Sequence, residues 1–146
     1  MSRLSNQIAI EKAKQLGFDL VGFAKADLLA DEALKLEQWL EKGFQASMGY
    51  MEKNLHKRKN VKEILPSAKS VISLALNYYT PDSYSNEKEK GKISRYAWGK
   101  DYHLVIWQKL DELETLLTDI DSEFESLSYV DTGPVMDKVW AVRAGI

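Results

Sequence analysis

A carboxylate near the end of the sequence is the first residue that could do chemistry. Asp131 follows an apolar, strand-like run from Phe124 to Val130 and precedes Pro134 by three positions. We predict a helix that begins near Val135, with Pro134 in its first position, where a missing N–H costs nothing. Asp131 would then lie at a strand tip, close to helix N–H groups that favour an anion by about 0.3–1 kcal/mol. Such a carboxyl group can exchange a proton with a ligand, although a helix cap or turn residue is the simpler interpretation.

A second dense stretch of polar and aromatic side chains lies between Ser94 and His103. Gly99 permits a tight bend within it, and Asp101 is placed to cap the helix that follows. The stretch suits a broad, flat, amide-rich ligand, because its rings offer faces and its polar atoms offer hydrogen bonds. A loop whose rings anchor the core is the alternative. The candidate ligand contacts are Arg95, Tyr96, Trp98, Asp101, Tyr102 and His103.

A basic segment between Lys53 and Lys62 is the third candidate. Its cations could contact the phosphates of a nucleic acid, although a solvated face is the simpler interpretation. The chain has 20 Lys and Arg against 22 Asp and Glu, a net charge of -2. Any nucleic-acid contact must therefore come from a local patch. The cations that we single out are Lys53, Lys57, Arg58 and Lys59.

Several kinds of site are disfavoured or excluded by composition. The chain has no cysteine and only two histidines, so disulfides and thiolate metal sites are excluded and a zinc site is disfavoured. We predict no metal site in this chain. Neither a G-x-S-x-G elbow nor a glycine-rich phosphate loop is present. No apolar run approaches the roughly 18 residues of a membrane span, and the charged start is unlike a signal peptide.

The elements that must position these candidates alternate between helix and strand. Ser5 is placed to cap a first helix that ends at Gly17, and Asp27 to cap a second that extends to about Lys42. A third main helix follows Asp101. We predict strands over 18–24, 70–79 and 124–130, the second covered on both faces, and a mobile loop over 80–92. The apolar side of the third main helix contains Leu104, Trp107, Leu110, Leu117 and Ile120.

This order predicts one α+β domain over residues 1–146, a mixed sheet flanked by helices. Three strands are few for a sheet that supports so many helices. The last helix also ends with no clear stop beyond Gly145. We therefore expect the fold to be incomplete at Ile146, as in a fragment or an early-terminated chain, with a naturally short protein as the alternative.

Taken together and in order, these stretches resemble the epoxyqueuosine reductases, bacterial cobalamin-dependent enzymes that modify tRNA. The similarity extends over nearly the whole chain. The combination of R-Y-A-x-G-x-D-Y-H, V-D-[ST]-x-P and A-x-R-A-G is specific. The matching segments are MGYM with the basic residues after it, ILPSAKSVISLALNYY, SRYAWGKDYH and YVDTGPVMDKVWAVRAGI.

The resemblance implies an oxidoreductase that reduces the epoxide of epoxyqueuosine in a tRNA anticodon stem-loop to queuosine. It implies cobalamin in a domain like that of the reductive dehalogenases, with electrons relayed by two [4Fe-4S] clusters. The cysteine-rich cluster part and a C-terminal helical-repeat part are absent from this chain, so the chain alone is expected to be inactive. A cytoplasmic, monomeric full-length enzyme is implied, while the electron donor is not identified.

The resemblance also suggests roles for residues. Asp131 resembles the family's proton donor to the substrate oxygen, a role that suits a carboxyl group in a largely dry pocket. The basic segment with Lys53, Lys57, Arg58 and Lys59 would face the tRNA. Arg143 could reach a phosphate or an amide, with a structural salt bridge as the alternative. The residues expected along the corrin and the substrate are Arg95, Tyr96, Trp98, Asp101, Tyr102, His103, Asp131, Thr132 and Gly133.

Two other functions stay open on the residues alone. The first is a non-catalytic module that binds a corrinoid or RNA. The second is a flavin-type reductase with a similar layered fold. A downstream cluster motif of the C-x-x-C-x-x-C-x-x-x-C-P type would favour the enzyme over the module, and visible absorption would distinguish flavin from corrin.

Overall fold

The computed structural model describes residues 4–146. Within that range five helices surround two strands, and short 3₁₀ turns cover Gly49–Met51, Val61–Glu63 and Arg95–Ala97. The predicted α+β class is confirmed. The elements in chain order are α1 (Asn6–Gln15), β1 (Leu20–Lys25), α2 (Ala30–Glu41), α3 (Leu55–Lys59), β2 (Ser70–Ala75), α4 (Tyr102–Ile120) and α5 (Asp137–Arg143).

The sheet is smaller than predicted. β1 and β2 pair antiparallel from Leu20 opposite Ala75 to Lys25 opposite Ser70. The prediction of a mixed sheet is wrong for residues 4–146, and so is the predicted strand over 124–130, which forms no ladder there. Its ends are held by packing, since Phe124 contacts the core and Val130 is buried. A β-prone run becomes a strand only when a neighbouring strand takes up its backbone hydrogen bonds.

Helices cover both faces of this two-stranded sheet, as predicted for the second strand. On one face, Val21, Phe23 and Leu74 contact a first core, which α1 and α4 form on that side. On the other face, Ala24 and Val71 contact a second core, which includes Trp140 of α5. The first core consists of Ala9, Ala13, Phe18, Leu113 and Leu117. The second core consists of Ala26, Leu29, Val61 and Trp140.

Side-chain caps fix two of the three main helix starts. The Ser5 hydroxyl accepts a hydrogen bond from the Ile8 N–H at 3.3 Å, which confirms the predicted cap of α1. Asp101 caps α4 as predicted. Asp27 does not cap α2, which begins at Ala30 after a residue with no side-chain cap.

Burial explains why α2 begins late. Leu29 is fully buried in the second core, and its N–H donates to the Lys59 carbonyl at 2.9 Å. These contacts outside the helix hold the chain before α2, so the start does not depend on a capping side chain at Asp27.

α4 is the longest helix and is anchored by its second half. Leu113 and Leu117 are buried in the first core, whereas Leu104 is 71% exposed. The prediction that Leu104 belongs to the buried side is therefore wrong, and Leu113 was missed. The first turn of α4 is left outside the core, where its polar and aromatic side chains are free to form a site.

The close approach of α5 to β1 requires a glycine. A Cβ atom built on Gly22 would lie 2.4 Å from the Ala144 carbonyl oxygen and 2.9 Å from the Ala144 Cβ. Both contacts are shorter than van der Waals distances, and one involves backbone. Gly22 thus lets the end of α5 lie directly on the sheet.

We expect Gly22→Ala to lower the free energy of unfolding by about 1–3 kcal/mol, because the added methyl group forces α5 away from β1. Gly91→Ala is the matched control, since a Cβ at Gly91 meets nothing within 4 Å. Urea denaturation of both variants measures the difference. Equal stability of the two proteins would show that α5 does not pack as described.

Candidate functional site

The loop that follows Val130 carries Asp131 to the start of α4. The Tyr102 hydroxyl, in the first residue of α4, donates a hydrogen bond to Asp131 Oδ2. Asp131 is exposed and has a φ of 65°, in the left-handed region. Aspartate is one of the few residue types other than glycine that adopts this conformation with any frequency.

The predicted surroundings of Asp131 are wrong in two respects. α5 begins at Asp137, six residues after Asp131, so the predicted helix does not begin directly after the carboxylate and Pro134 is not its first residue. The exposure of Asp131 also means that residues 4–146 do not form the dry pocket that was expected.

The first turn of α4 is fixed by Asp101 and His103. Asp101 Oδ1 accepts the His103 N–H at 2.9 Å and lies 2.8 Å from His103 Nδ1. The donation from the His103 backbone lowers the pKa of Asp101 below its usual value. The rings of Tyr102 and His103 stack with centroids 4.1 Å apart. Asp101 and His103 therefore build the turn that presents Tyr102.

Arg95 organises the segment between β2 and α4. Its guanidinium donates to the Thr80 carbonyl at 2.6 Å and to the Asp82 carbonyl at 3.2 Å. It also lies 5.3 Å from the Tyr79 ring centroid and 5.7 Å from that of Trp98. These contacts join the loop over 80–92 to the 3₁₀ turn at Arg95–Ala97. Arg95 acts mainly as a structural clasp for the loop.

An open cavity of about 440 Å³ lies beside this clasp. Four of the predicted residues line it, namely Arg95, Tyr96, Trp98 and Tyr102. Tyr96 meets Tyr102 edge to face, with centroids 5.9 Å apart. Asp131 is not part of the lining and reaches the cavity through Tyr102. The structure thus brings the two densest stretches of the sequence together at one place.

Further lining residues were missed by sequence reasoning. Tyr78 and Tyr79 line the cavity because β2 ends at Ala75 and not at Tyr79, which leaves both rings outside the ladder. Both are exposed, by 65% and 70%. A usable signal was present, since an aromatic pair followed by Thr80 and Pro81 marks the end of a strand more than its middle. Lys100 also contributes to the lining.

Thr132 and Gly133 stabilise the backbone of the loop over residues 131–136, here called the Asp131 loop. The Thr132 hydroxyl donates to the Val130 carbonyl at 3.3 Å. A Cβ at Gly133 would lie 2.3 Å from Tyr129 Cδ1, so the loop folds back on this ring only with glycine there. Neither residue lines the cavity.

Two of the predicted cations make contacts within the protein. Arg58 Nη1 donates to the Val135 carbonyl at 3.1 Å, which ties α3 to the end of the Asp131 loop. Arg143 forms a two-pronged ion pair with Glu32 at 3.0 Å for both nitrogens, which favours its structural interpretation. Lys53 is exposed, while Lys57 and Lys59 are half-buried.

A second carboxylate lies close enough to Asp131 to influence the local electrostatics. Desolvation raises the pKa of Asp137, the charge of Asp131 raises it further, and Arg58 lowers it. The residue as a whole is exposed. In residues 4–146 no group of three or more His, Asp or Glu side chains is arranged to hold a metal ion. No helix in the same range has the length and apolar character to cross a membrane.

Comparisons with known proteins place this geometry in a family. A sequence model described as epoxyqueuosine reductase QueG, DUF1730 matches residues 58–132, about half of the chain. The chain belongs to the epoxyqueuosine reductase family. The matched region runs from α3 to the Asp131 loop and so contains the cavity. It excludes Lys53 and Lys57.

Relatives in this family are much longer than the chain. It is 41% identical over 140 residues to the epoxyqueuosine reductase of Cyclobacterium marinum, a match that spans 96% of this chain and 45% of that protein. Solved epoxyqueuosine reductases superpose on it with TM-scores between 0.68 and 0.85. The chain therefore corresponds to less than half of each of these enzymes.

Two of those structures are informative about the site. A Bacillus subtilis epoxyqueuosine reductase, 34% identical with a TM-score of 0.74, has the catalytic loop of an aspartate swung out of the active site. The match covers 95% of this chain and 37% of that one. Another epoxyqueuosine reductase, 34% identical with a TM-score of 0.68, was solved with an epoxyqueuosine-modified tRNA stem loop. That match covers 94% of this chain and 37% of that one.

Proposed function

We propose that this chain is the N-terminal, cobalamin- and substrate-binding part of an epoxyqueuosine reductase. The full-length enzyme would reduce the epoxide of epoxyqueuosine in tRNA to queuosine in the cytoplasm, as a monomer. The [4Fe-4S] clusters would be held outside this chain, which has no cysteine. The observation that carries the proposal is the Asp131 carboxylate, which accepts a hydrogen bond from Tyr102 in the lining of an aromatic cavity.

The lining of the cavity fits one edge of a corrin. Tyr78, Tyr96 and Tyr102 offer ring faces and edges, and Lys100 offers a cation to amide oxygens. Protein sites for such ligands are mostly apolar with a few polar groups, as here. A cavity of about 440 Å³ holds only part of so large a ligand, so the remaining contacts would come from outside this lining. Arg95 would support the lining through Tyr79 and Trp98.

The chain's own contribution to the reaction would be proton delivery and placement. Reduction of the epoxide to the alkene takes two electrons and two protons, breaks both C–O bonds and releases the oxygen as water. Bound cobalamin would supply the electrons at an epoxide carbon. Asp131 would hold a proton on its carboxyl group and give it to the epoxide oxygen as the C–O bond breaks.

A catalytic role for Asp131 also agrees with a loop that can move. Asp131 is exposed and lies in a loop whose ends are tied by one side-chain hydrogen bond each, from Tyr102 and from Arg58. The Bacillus subtilis relative has its catalytic aspartate loop in a swung-out position. Closure over a bound nucleoside would exclude water from the carboxyl group.

The tRNA contacts would come from the basic segment around α3. RNA is recognised largely by shape and by phosphate contacts, and a relative has been solved with a modified tRNA stem loop. Lys53 is exposed, and Lys57 and Lys59 keep part of their surface in solvent. Arg58 would contribute to tRNA binding indirectly, because its guanidinium donates a hydrogen bond to the Val135 carbonyl.

Cobalamin binding by the full-length enzyme tests the proposed cavity. We expect Tyr96→Leu to weaken binding by roughly twofold to tenfold, the worth of one aromatic contact of about 0.5–1.5 kcal/mol. Tyr50→Leu is the matched control, because Tyr50 is exposed and outside the lining. Equilibrium titration measured from the corrin absorption gives both affinities. An enzyme that neither binds cobalamin nor reduces epoxyqueuosine in a stem-loop would overturn the proposed function.

A further inference from the structure

We propose that Tyr102 is the positioning residue for Asp131, a latch that holds the carboxylate at the rim of the cavity. The inference rests on the proposed function, because it concerns the placement of the proposed proton donor. It assigns Tyr102 a role different from contact with the corrin, namely to act on the reaction through Asp131.

The carboxylate of Asp131 depends on this one hydrogen bond for its position. Within residues 4–146 its hydrogen-bond partner is the Tyr102 hydroxyl, which donates to Oδ2. The second oxygen, Oδ1, is left for a substrate. Asp131 has left-handed backbone geometry and is exposed, so packing does not fix its side chain. Loss of the bond would free the loop to sample other positions.

Tyr102 is itself held rigidly from three sides. Its ring stacks on His103 at an interplanar angle of 28° and meets the Tyr96 ring edge to face at 82°. Its backbone begins α4 directly after the Asp101 cap, and that helix is anchored in the first core by Leu113 and Leu117. The position of the carboxylate is thus transmitted from the core through α4.

The pKa of the Tyr102 hydroxyl indicates different roles for Tyr102 and Asp131. The hydrogen bond with Asp131 raises the pKa of Tyr102 to about 12. A phenol with that pKa stays protonated at neutral pH and remains a donor to the carboxylate. Tyr102 therefore acts as a fixed hydrogen-bond donor, and the proton that moves would belong to Asp131.

A double-mutant cycle in the full-length enzyme tests the latch. We expect Tyr102→Phe to lower kcat roughly 10- to 100-fold, as misplacement of a catalytic group does, with KM and cobalamin binding unchanged. In the Asp131→Asn background the same change should have no further effect, because a positioning residue acts through its partner. Tyr50→Phe is the control, since Tyr50 is exposed, lies outside the cavity lining and has a hydroxyl that is not hydrogen-bonded to Asp131. Single-turnover epoxide reduction is sensitive enough for all four corners of the cycle.

Hydrogen exchange gives a readout that does not depend on activity. In Tyr102→Phe the amides of residues 130–136 should exchange faster than in the wild type, whereas Tyr50→Phe should leave them unchanged. Wild-type kcat in Tyr102→Phe, or an equal loss from this change in both backgrounds, would overturn the latch. Full activity of Asp131→Asn alone would instead overturn the proposed function, so the two failures are distinguishable.

Discussion

Asp131→Asn should lower epoxide reduction by the full-length enzyme about 100- to 10,000-fold, the range that general acid catalysis supplies. Asparagine has the same shape as aspartate and can still accept the Tyr102 hydrogen bond through its amide oxygen. It cannot give up a proton to the epoxide oxygen. The loss should therefore fall on kcat, with cobalamin binding and KM for the stem-loop unchanged. Single-turnover kinetics with enzyme in excess measures the chemical step without product release.

Asp137→Asn is the matched control for this experiment. It removes the same charge six residues along the chain, from the first turn of α5. In the wild-type protein the Asp137 carboxyl group is close enough to Asp131 for their charges to interact. If the effect of Asp131→Asn were only electrostatic, both changes would lower the rate to a similar extent. Activity near the wild-type value in Asp131→Asn would remove the proton-donor role.

The sequence predicted which residues meet at the site better than it predicted why they meet. Asp131 and the SRYAWGKDYH stretch were singled out from residue type and density, and Tyr102 joins them in the structure. The reason given for Asp131, a helix start at Pro134, is wrong because α5 begins at Asp137. A bond between residues 29 positions apart cannot be deduced from local pattern, since it depends on how the core orients α4.

Local signals predicted two of three helix caps correctly and strand extents poorly. Ser5 and Asp101 cap their helices because a cap needs only backbone N–H groups within three residues. The strand over 124–130 fails because a ladder needs a partner from elsewhere in the chain. The same dependence ended β2 at Ala75 and released Tyr78 and Tyr79 to the cavity. Strand pairing depends on residues that are distant in the sequence. The chain spans under half of its relatives' length.

Trp140→Ala should lower the free energy of unfolding by about 3–5 kcal/mol, the usual cost of truncating a buried tryptophan. Trp140 is 2% exposed and packs with Ala26, Leu29 and Val61 in the second core. Its indole N–H has no hydrogen-bond partner within the described residues, so truncation removes no hydrogen bond made by the ring. Since small proteins are stable by only about 5–15 kcal/mol, this change should shift the urea midpoint strongly.

Val142→Ala is the matched control, because Val142 lies in the same helix and is 74% exposed. We expect its effect to stay within about 0.5 kcal/mol. Far-UV circular dichroism during urea denaturation measures both variants without relying on the fluorescence of the deleted indole. The comparison also concerns the site. Trp140 anchors α5, the helix that follows the Asp131 loop, and Val135 and Met136 of that loop pack on the second core. Equal midpoints for the two variants would mean that α5 is not docked on the sheet, and the packing of Val135 and Met136 would then not hold the end of the loop.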